Sequence, residues 1–195
     1  MSDGIPIRAC GVSVLVLRPR VLSNAKDKVL SNAKDKVLSN AKDKVLSNAK
    51  DGDDGWRVLL LRRAETHLLG VWSYVSGGIE PGERGWEAAL RELSEETSLV
   101  PLDLFSADVC EQFYEPAVEQ VIVFPVFVAL VAAGAEPILN HEHSEYRWVT
   151  RGEAAVLLPF AAQRNTLRHV WAEFVEHPPL EYLRIPIPGA PGPGV

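Results

Sequence analysis

Cysteine is scarce: Cys10 and Cys110 are the only two in 195 residues, so no disulfide framework holds this chain together. Long hydrophobic runs are missing as well. The longest, Val121 to Ala133, has 13 residues and contains Pro125, too short for a membrane span and suited to a buried strand. Nor does the N-terminus show a basic stretch followed by an apolar core and a small-residue cleavage site, which favours a cytoplasmic protein. Positive charge is also in deficit, with 20 Lys+Arg against 26 Asp+Glu and a net charge of −6. Such a chain has no general attraction to a nucleic acid polymer, and neither a DNA coat nor a membrane protein is expected.

Lysine is absent from most of the sequence. Lys26, Lys28, Lys34, Lys36, Lys42, Lys44 and Lys50 all fall within Val21–Gly52, where the octapeptide VLSNAKDK occurs three times unchanged and a fourth time ending in Gly. Without those 32 residues (7 Lys, 4 Asp) the remaining 163 carry 13 Arg against 22 acids, a net −9. A period of eight leaves about 80° of drift per repeat on a helix, so the Val-Leu pairs form no single stripe. Asn, Asp and Lys are poor strand formers. A mobile or fraying-helical surface loop is predicted, tolerated because lengthening a loop costs little free energy. Its flanks, GVSVLVLR (11–18) and WRVLLLRR (56–63), read as two strands of one hairpin. The Pro- and Gly-rich segment 185–195 reads as an extended or disordered tail. The rest, within 1–184, is expected to be one domain.

Further strand-like runs lie at 72–76, 107–114, 120–131 and 145–149, and helical patterns at 83–97, 151–158 and 160–176. This order implies an α/β fold. The chemistry concentrates in GGIEPGERGWEAALRELSEETSL (77–99). On an ideal helix Glu92, Glu95 and Glu96 fall within about 100° of one another, while Trp86, Leu90 and Leu93 occupy the other side. Three neighbouring carboxylates repel one another, and a hard divalent cation is the natural compensator. Glu83 lies about 180° from Glu92 on the same wheel. It belongs to the preceding loop or first turn, where Gly77, Gly78 and Gly82 let the backbone fold back and Arg91 could be its partner.

The spacing of the whole segment resembles the Nudix box: Gly77, Glu83, Arg91, Glu92, Leu93, Glu95, Glu96 and Leu99 stand at its fixed positions. Six identities at about one in fifteen each arise by chance with a frequency on the order of 10⁻⁷ per start position. One position departs, with Ser98 where the pattern has Gly at the helix exit, a place for left-handed backbone. The resemblance to the Nudix (MutT-like) hydrolases covers about 11–176 apart from the insert. It implies an α/β/α sandwich around a mixed β-sheet. It also implies metal-dependent hydrolysis of the pyrophosphate linkage of a small nucleoside diphosphate derivative, using Mg²⁺ or Mn²⁺.

By that resemblance Glu92, Glu95 and Glu96 are metal ligands, Glu83 is an additional ligand or supports them from behind, and Arg91 orients the carboxylates. A further acid comes from the loop before a Trp-bearing strand: Glu142 first, Glu145 second. Either Glu92 or Glu142 is the general base. For the substrate, Arg62 or Arg63 could reach phosphate oxygens, and Gly77 and Gly78 let backbone approach it closely. Tyr74, Phe113 and Tyr114 could stack a base. His141 and His143, without nearby Cys, fit a polar loop better than a zinc site. The C-terminal segments resemble the dihydroneopterin triphosphate pyrophosphatase branch, so a (deoxy)nucleoside or pterin triphosphate is the expected small-molecule substrate. An ADP-sugar or dinucleoside polyphosphate is the alternative, and a non-catalytic nucleotide-binding module is the alternative of another class. Monomer and homodimer stay equally open.

Overall fold

A computed structural model describes residues 4–20, 55–66 and 68–187. The octapeptide repeat and the tail beyond residue 187 lie outside the described residues. What is described is a nine-stranded mixed sheet with helices on both faces, the expected sandwich.

The centre of the sheet is β2 (Gly11–Pro19), whose apolar run is buried on both faces. Along one edge it pairs in parallel with β7 (Gln120–Leu130), Ser13–Leu17 against Val126–Leu130. Its other edge is shared. Gly11–Val14 pair with β5 (Val75–Gly78), and Leu17–Pro19 pair with β3 (Trp56–Arg63). The β2–β3 pairing is the hairpin expected from the insert's flanks, closed by Arg20 N–H donating to Gly55 O at 2.7 Å. Two-residue β4 (Trp72–Ser73) and β8 (His143–Val149) flank β3, and β6 (Asp103–Glu115) pairs with β7. The expected strand 72–76 is thus two strands interrupted at Tyr74, and the expected strand 107–114 begins earlier, at Asp103.

Two short strands were not foreseen. β1 (Ile7–Ala9) runs parallel to β7, and β9 (Arg184–Ile185) pairs with β6 through Ile185 and Leu104. Residues 185–187, read from composition as part of a tail, therefore belong to the edge of the sheet. Arg184 is bonded to Asp103, and Ile187 packs against the core. Pro186 is tolerated at this edge because an outer strand can do without one donor.

The pleat divides the core into two layers. Leu15, Leu17, Val58, Leu60, Tyr74, Val126 and Val128 face α2 (Arg151–Leu157) and α3 (Ala161–Trp171), with Trp171 fully buried. A π-helical turn, Ala172–Glu176, continues α3, so the helical pattern read over 160–176 is one element with two windings. Val12, Val14, Val16, Leu59, Leu61 and Val75 face α1 (Gly85–Thr97), which buries Ala88, Ala89 and Leu93. At the start of α1, Arg84 N–H donates to Glu87 at 2.8 Å, and the chain enters the helix two residues later than the pattern from 83 suggests. No described helix is long and apolar enough to cross a membrane.

Candidate functional site

The carboxylates of α1 do not share one open face. Ala88 and Glu96 are turned into the sheet, at 0% and 1% exposure, while the Glu95 side chain remains 55% exposed. The wheel separates core from acid correctly for Leu93 but misplaces the acids. Their side of the helix lies partly against β5 and the start of β8, which cover Glu96 but leave Glu95 in solvent.

Arg91 gathers the segment. Its Nε and Nη2 donate to the two oxygens of Glu83 at 2.9 and 3.1 Å, and Nη1 donates to Glu92 at 2.8 Å and Glu95 at 3.1 Å. Nη2 also reaches the carbonyl of Gly78 at 2.7 Å. A planar guanidinium offers several donors in a fixed fork, which suits such a convergence. Glu83 stands in the loop before the helix and also accepts from Glu80 N–H at 2.9 Å. Arg91 chiefly, with that backbone donor, holds its carboxyl below the usual range, and the same pairings hold Arg91 protonated.

Gly77 is fixed by Glu92. A methyl group on Gly77 would stand 1.9 Å from the Glu92 carboxyl carbon, so the carboxylate lies against bare backbone. Burial raises the Glu92 carboxyl above its ordinary value, Arg91 pulls it back, and the charges of Glu95 and Glu142 add to the rise. Glu96 is displaced further, to about 9, by burial first and then by Glu92 and Glu142, with Arg63 and the Ser76 backbone donor opposing. Its Oε2 has no hydrogen-bond partner among the described residues.

Glu142 joins this group, because its charge bears on both Glu92 and Glu96. Asn140 accepts from its N–H at 3.0 Å, and its carbonyl accepts from Ala64 at 2.7 Å. The loop that carries it is docked on the end of α1, where Ile138 N–H donates to Thr97 O at 2.8 Å and Asn140 N–H reaches Glu96 O at 3.4 Å. Glu145, the second choice, is bound instead by Arg147 at 2.7 Å and by Arg62, and these hold its carboxyl below the usual range.

Strand alternation separates the two arginines at the end of β3. Leu59 and Leu61 face α1, and Arg63 follows them onto that side, 17% exposed, with its charge acting on Glu96 and His143. Arg62 points away, toward Glu145 and the carbonyl of Gly70. Tyr74 corrects the sequence reading. It is 1% exposed in the layer beneath α3, its hydroxyl is bonded to Glu111, and it offers no ring face to a substrate. Tyr114 is exposed at the end of β6 and donates to Glu119 at 2.5 Å across the adjoining turn, away from the carboxylates of α1. Phe113 packs edge-on against Phe124, centroids 5.9 Å apart.

His143 belongs to the site and was not among its expected members. Its side chain is 1% exposed, and Nε2 stands 3.9 Å from Glu96 Oε2. Burial, then the charge of Arg63, lowers its pKa to about 4. His141 is 85% exposed in a different environment, near Glu65. The one signal for His143 was its place next to Glu142.

These side chains form an oxygen-only donor set suited to a hard cation, with one buried oxygen left without a partner. Among the described residues no three acidic, His or Cys side chains already converge as a metal cage. Arg91 supplies the compensating charge and draws Glu83, Glu92 and Glu95 toward itself.

Comparison with known proteins agrees with this geometry. Residues 45–170 match the NUDIX domain model. A Myxococcus xanthus octanoyltransferase is 35% identical over 60% of this chain, but the match spans only 32% of that protein. The nucleoside triphosphatase NudI of Salmonella arizonae is 33% identical over 56% of this chain and 84% of its own length. The structure of a C. elegans Ap4A hydrolase superposes with a TM-score of 0.56 over 85% of this chain and 98% of that one, at 19% identity, a likeness of fold. Members of this family generally use a divalent metal ion. With the box residues spaced and assembled as described, and more than half of the sequence matched by the family model, the chain belongs to the Nudix hydrolase family.

Proposed function

We propose that this chain hydrolyses the pyrophosphate linkage of a small nucleotide in the cytoplasm, with Mg²⁺ or Mn²⁺, and that its substrate is a (deoxy)nucleoside or pterin triphosphate cleaved to a monophosphate and pyrophosphate. The observation that carries the reading is the mutual repulsion of Glu92, Glu96 and Glu142, with Glu96 displaced to about 9 by burial and then by the charges of the other two. That is a local excess of negative charge which a dication and its phosphate ligand would relieve. The likeness to a nucleoside triphosphatase over most of that protein's length favours a triphosphate over an ADP-sugar or dinucleoside polyphosphate.

In this reading Glu92, Glu96 and Glu142 hold the ion, and Glu95 adds an exposed carboxylate. A divalent ion held there would neutralise phosphate oxygens and make a bound water more acidic. Glu83, committed through both oxygens to Arg91, acts by fixing that guanidinium, which in turn aims Glu92. Arg63, on the same side of the sheet, is the cation placed to meet a phosphate; Arg62 is not. Glu92 or Glu142 accepts the proton of the attacking water, and the raised Glu92 carboxyl suits it to that task.

The test is a product-resolved screen of nucleoside, pterin, dinucleoside and ADP-sugar substrates with Mg²⁺, followed by Glu92→Gln on whichever is cleaved. A fall in kcat of at least about a thousandfold, with the protein still folded, is expected. An unchanged rate would remove Glu92 from the site. Nucleotide binding without turnover of any candidate would favour a binding module.

A further inference from the structure

Behind Glu96 lie two polar groups whose hydrogen bonding is incomplete. Glu96 Oε2 and His143 Nδ1 are both buried without a partner among the described residues, and His143 Nε2 faces that same Glu96 oxygen at 3.9 Å. The pair is almost wholly shielded, with side-chain exposures of 1% for His143 and 2% for Glu96. The Ser76 backbone N–H also bears on the Glu96 carboxylate and favours its charged form. A neutral imidazole donates from one ring nitrogen, and a move of about 1 Å brings Nε2 to bonding distance.

Resting on the metal-dependent reading above, we propose that His143 is a positioning residue, which donates from Nε2 to Glu96 Oε2 and, together with Ser76 N–H, clamps that carboxylate in the orientation that binds the ion. Each carboxylate oxygen has two lone pairs, so a clamp of this kind leaves one on each for a metal. The backbone makes the arrangement rigid. Ser76 lies in β5, His143 starts β8, and Glu96 is in the last turn of α1, so three separate elements fix the three groups. Hydrogen bonds behind a ligating carboxylate govern its affinity for the ion as well as its orientation.

The experiment measures Mn²⁺ binding to the full chain without nucleotide, following free Mn²⁺ by electron paramagnetic resonance. Thermal melts of each variant run alongside. His143→Leu keeps the buried volume and removes the donor, whereas His143→Gln keeps a donor near the Nε2 position. The Leu variant is expected to bind Mn²⁺ about 10- to 100-fold more weakly, with Gln within about threefold of wild type. A purely structural role would move the melting temperature without this separation. Equal binding by wild type and Leu, or equally weak binding by Leu and Gln, overturns the positioning role. If Leu does not fold, His143→Asn replaces it, its amide too short to reach, and equal binding by Asn and Gln overturns the proposal. Absence of saturable Mn²⁺ binding in wild type overturns the metal reading and this inference together. Normal wild-type binding that Glu96→Gln weakens and His143→Leu does not overturns this inference alone.

Discussion

A carboxyl held near 9 keeps its proton at neutral pH, and an incoming cation has to displace it. For Glu96 that gives two linked expectations. Between its ordinary value of 4.5 and about 9 the folded chain retains a proton that the unfolded chain has lost. Stability of the metal-free protein therefore falls as pH rises through that window, and Glu96→Gln should flatten the slope in thermal melts. Binding of Mg²⁺ or Mn²⁺ should tighten with pH over the same range and release about one proton at pH 7, readable by calorimetry in two buffers of different ionisation heat. Proton-neutral binding would contradict the placement of Glu96 at the ion. Gly77 supplies a second test at this scale. An added methyl displaces the Glu92 carboxylate from a position 1.9 Å away while leaving the strand backbone allowed. Gly77→Ala should fold with a small stability loss, within about 1 kcal/mol, and lose most of its kcat. Full activity would show that Glu92 does not work from this position.

Helix α1 shows what sequence spacing conveys about an element and what it omits. The identities from Gly77 to Leu99 were readable because each has a local reason: an arginine that binds three acids, a glycine beneath a carboxylate, a left-handed exit. Ser98 adopts that exit with φ 55°, its N–H donating to Ser94 at 2.8 Å, although it carries a side chain. Glycine occupies left-handed backbone without the steric penalty, so Ser98→Gly should raise stability by about 0.5–1 kcal/mol and leave kcat unchanged. A lower melting temperature would mean that the Ser98 side chain compensates for its strain. The faces of the strands were harder to read. β2 and β3 are apolar on both sides, so no alternation in the sequence shows which of Arg62 and Arg63 looks at α1, or that Tyr74 looks at α3. β1 and β9 went unseen because they have three and two residues and are recruited by pairing with distant strands.

At the scale of the molecule, the composition sets Val21–Gly52 apart from the rest of the chain, and the sheet shows how the strands on either side of it are joined. Arg20 and Gly55 are hydrogen bonded at 2.7 Å, and below them Pro19, Arg18 and Leu17 pair with Trp56, Arg57 and Val58, so backbone pairing joins the two strands at the point where the repeat leaves them. Arg18 adds a second anchor on the same strand, stacking 4.1 Å from the Trp148 ring and donating to Glu136 at 2.9 Å in the loop that leads to Glu142. Removing Val21–Gly52 leaves Asp53 and Asp54 between the closing residues, shortening the loop from 34 residues to 2. That is about four halvings at about 0.6 kcal/mol each, an upper limit of about 2.4 kcal/mol, because very short loops add strain. The deletion variant should melt no lower than the full chain, and by up to about 10 °C higher, with kcat and metal affinity unchanged. Its net charge shifts from −6 to −9 as seven lysines and four aspartates leave, so a small salt-dependent change in KM for an anionic nucleotide is expected. Loss of turnover in a folded deletion variant would assign the repeat a part in the site, and loss of folding would show that the β2–β3 pairing is not self-sufficient.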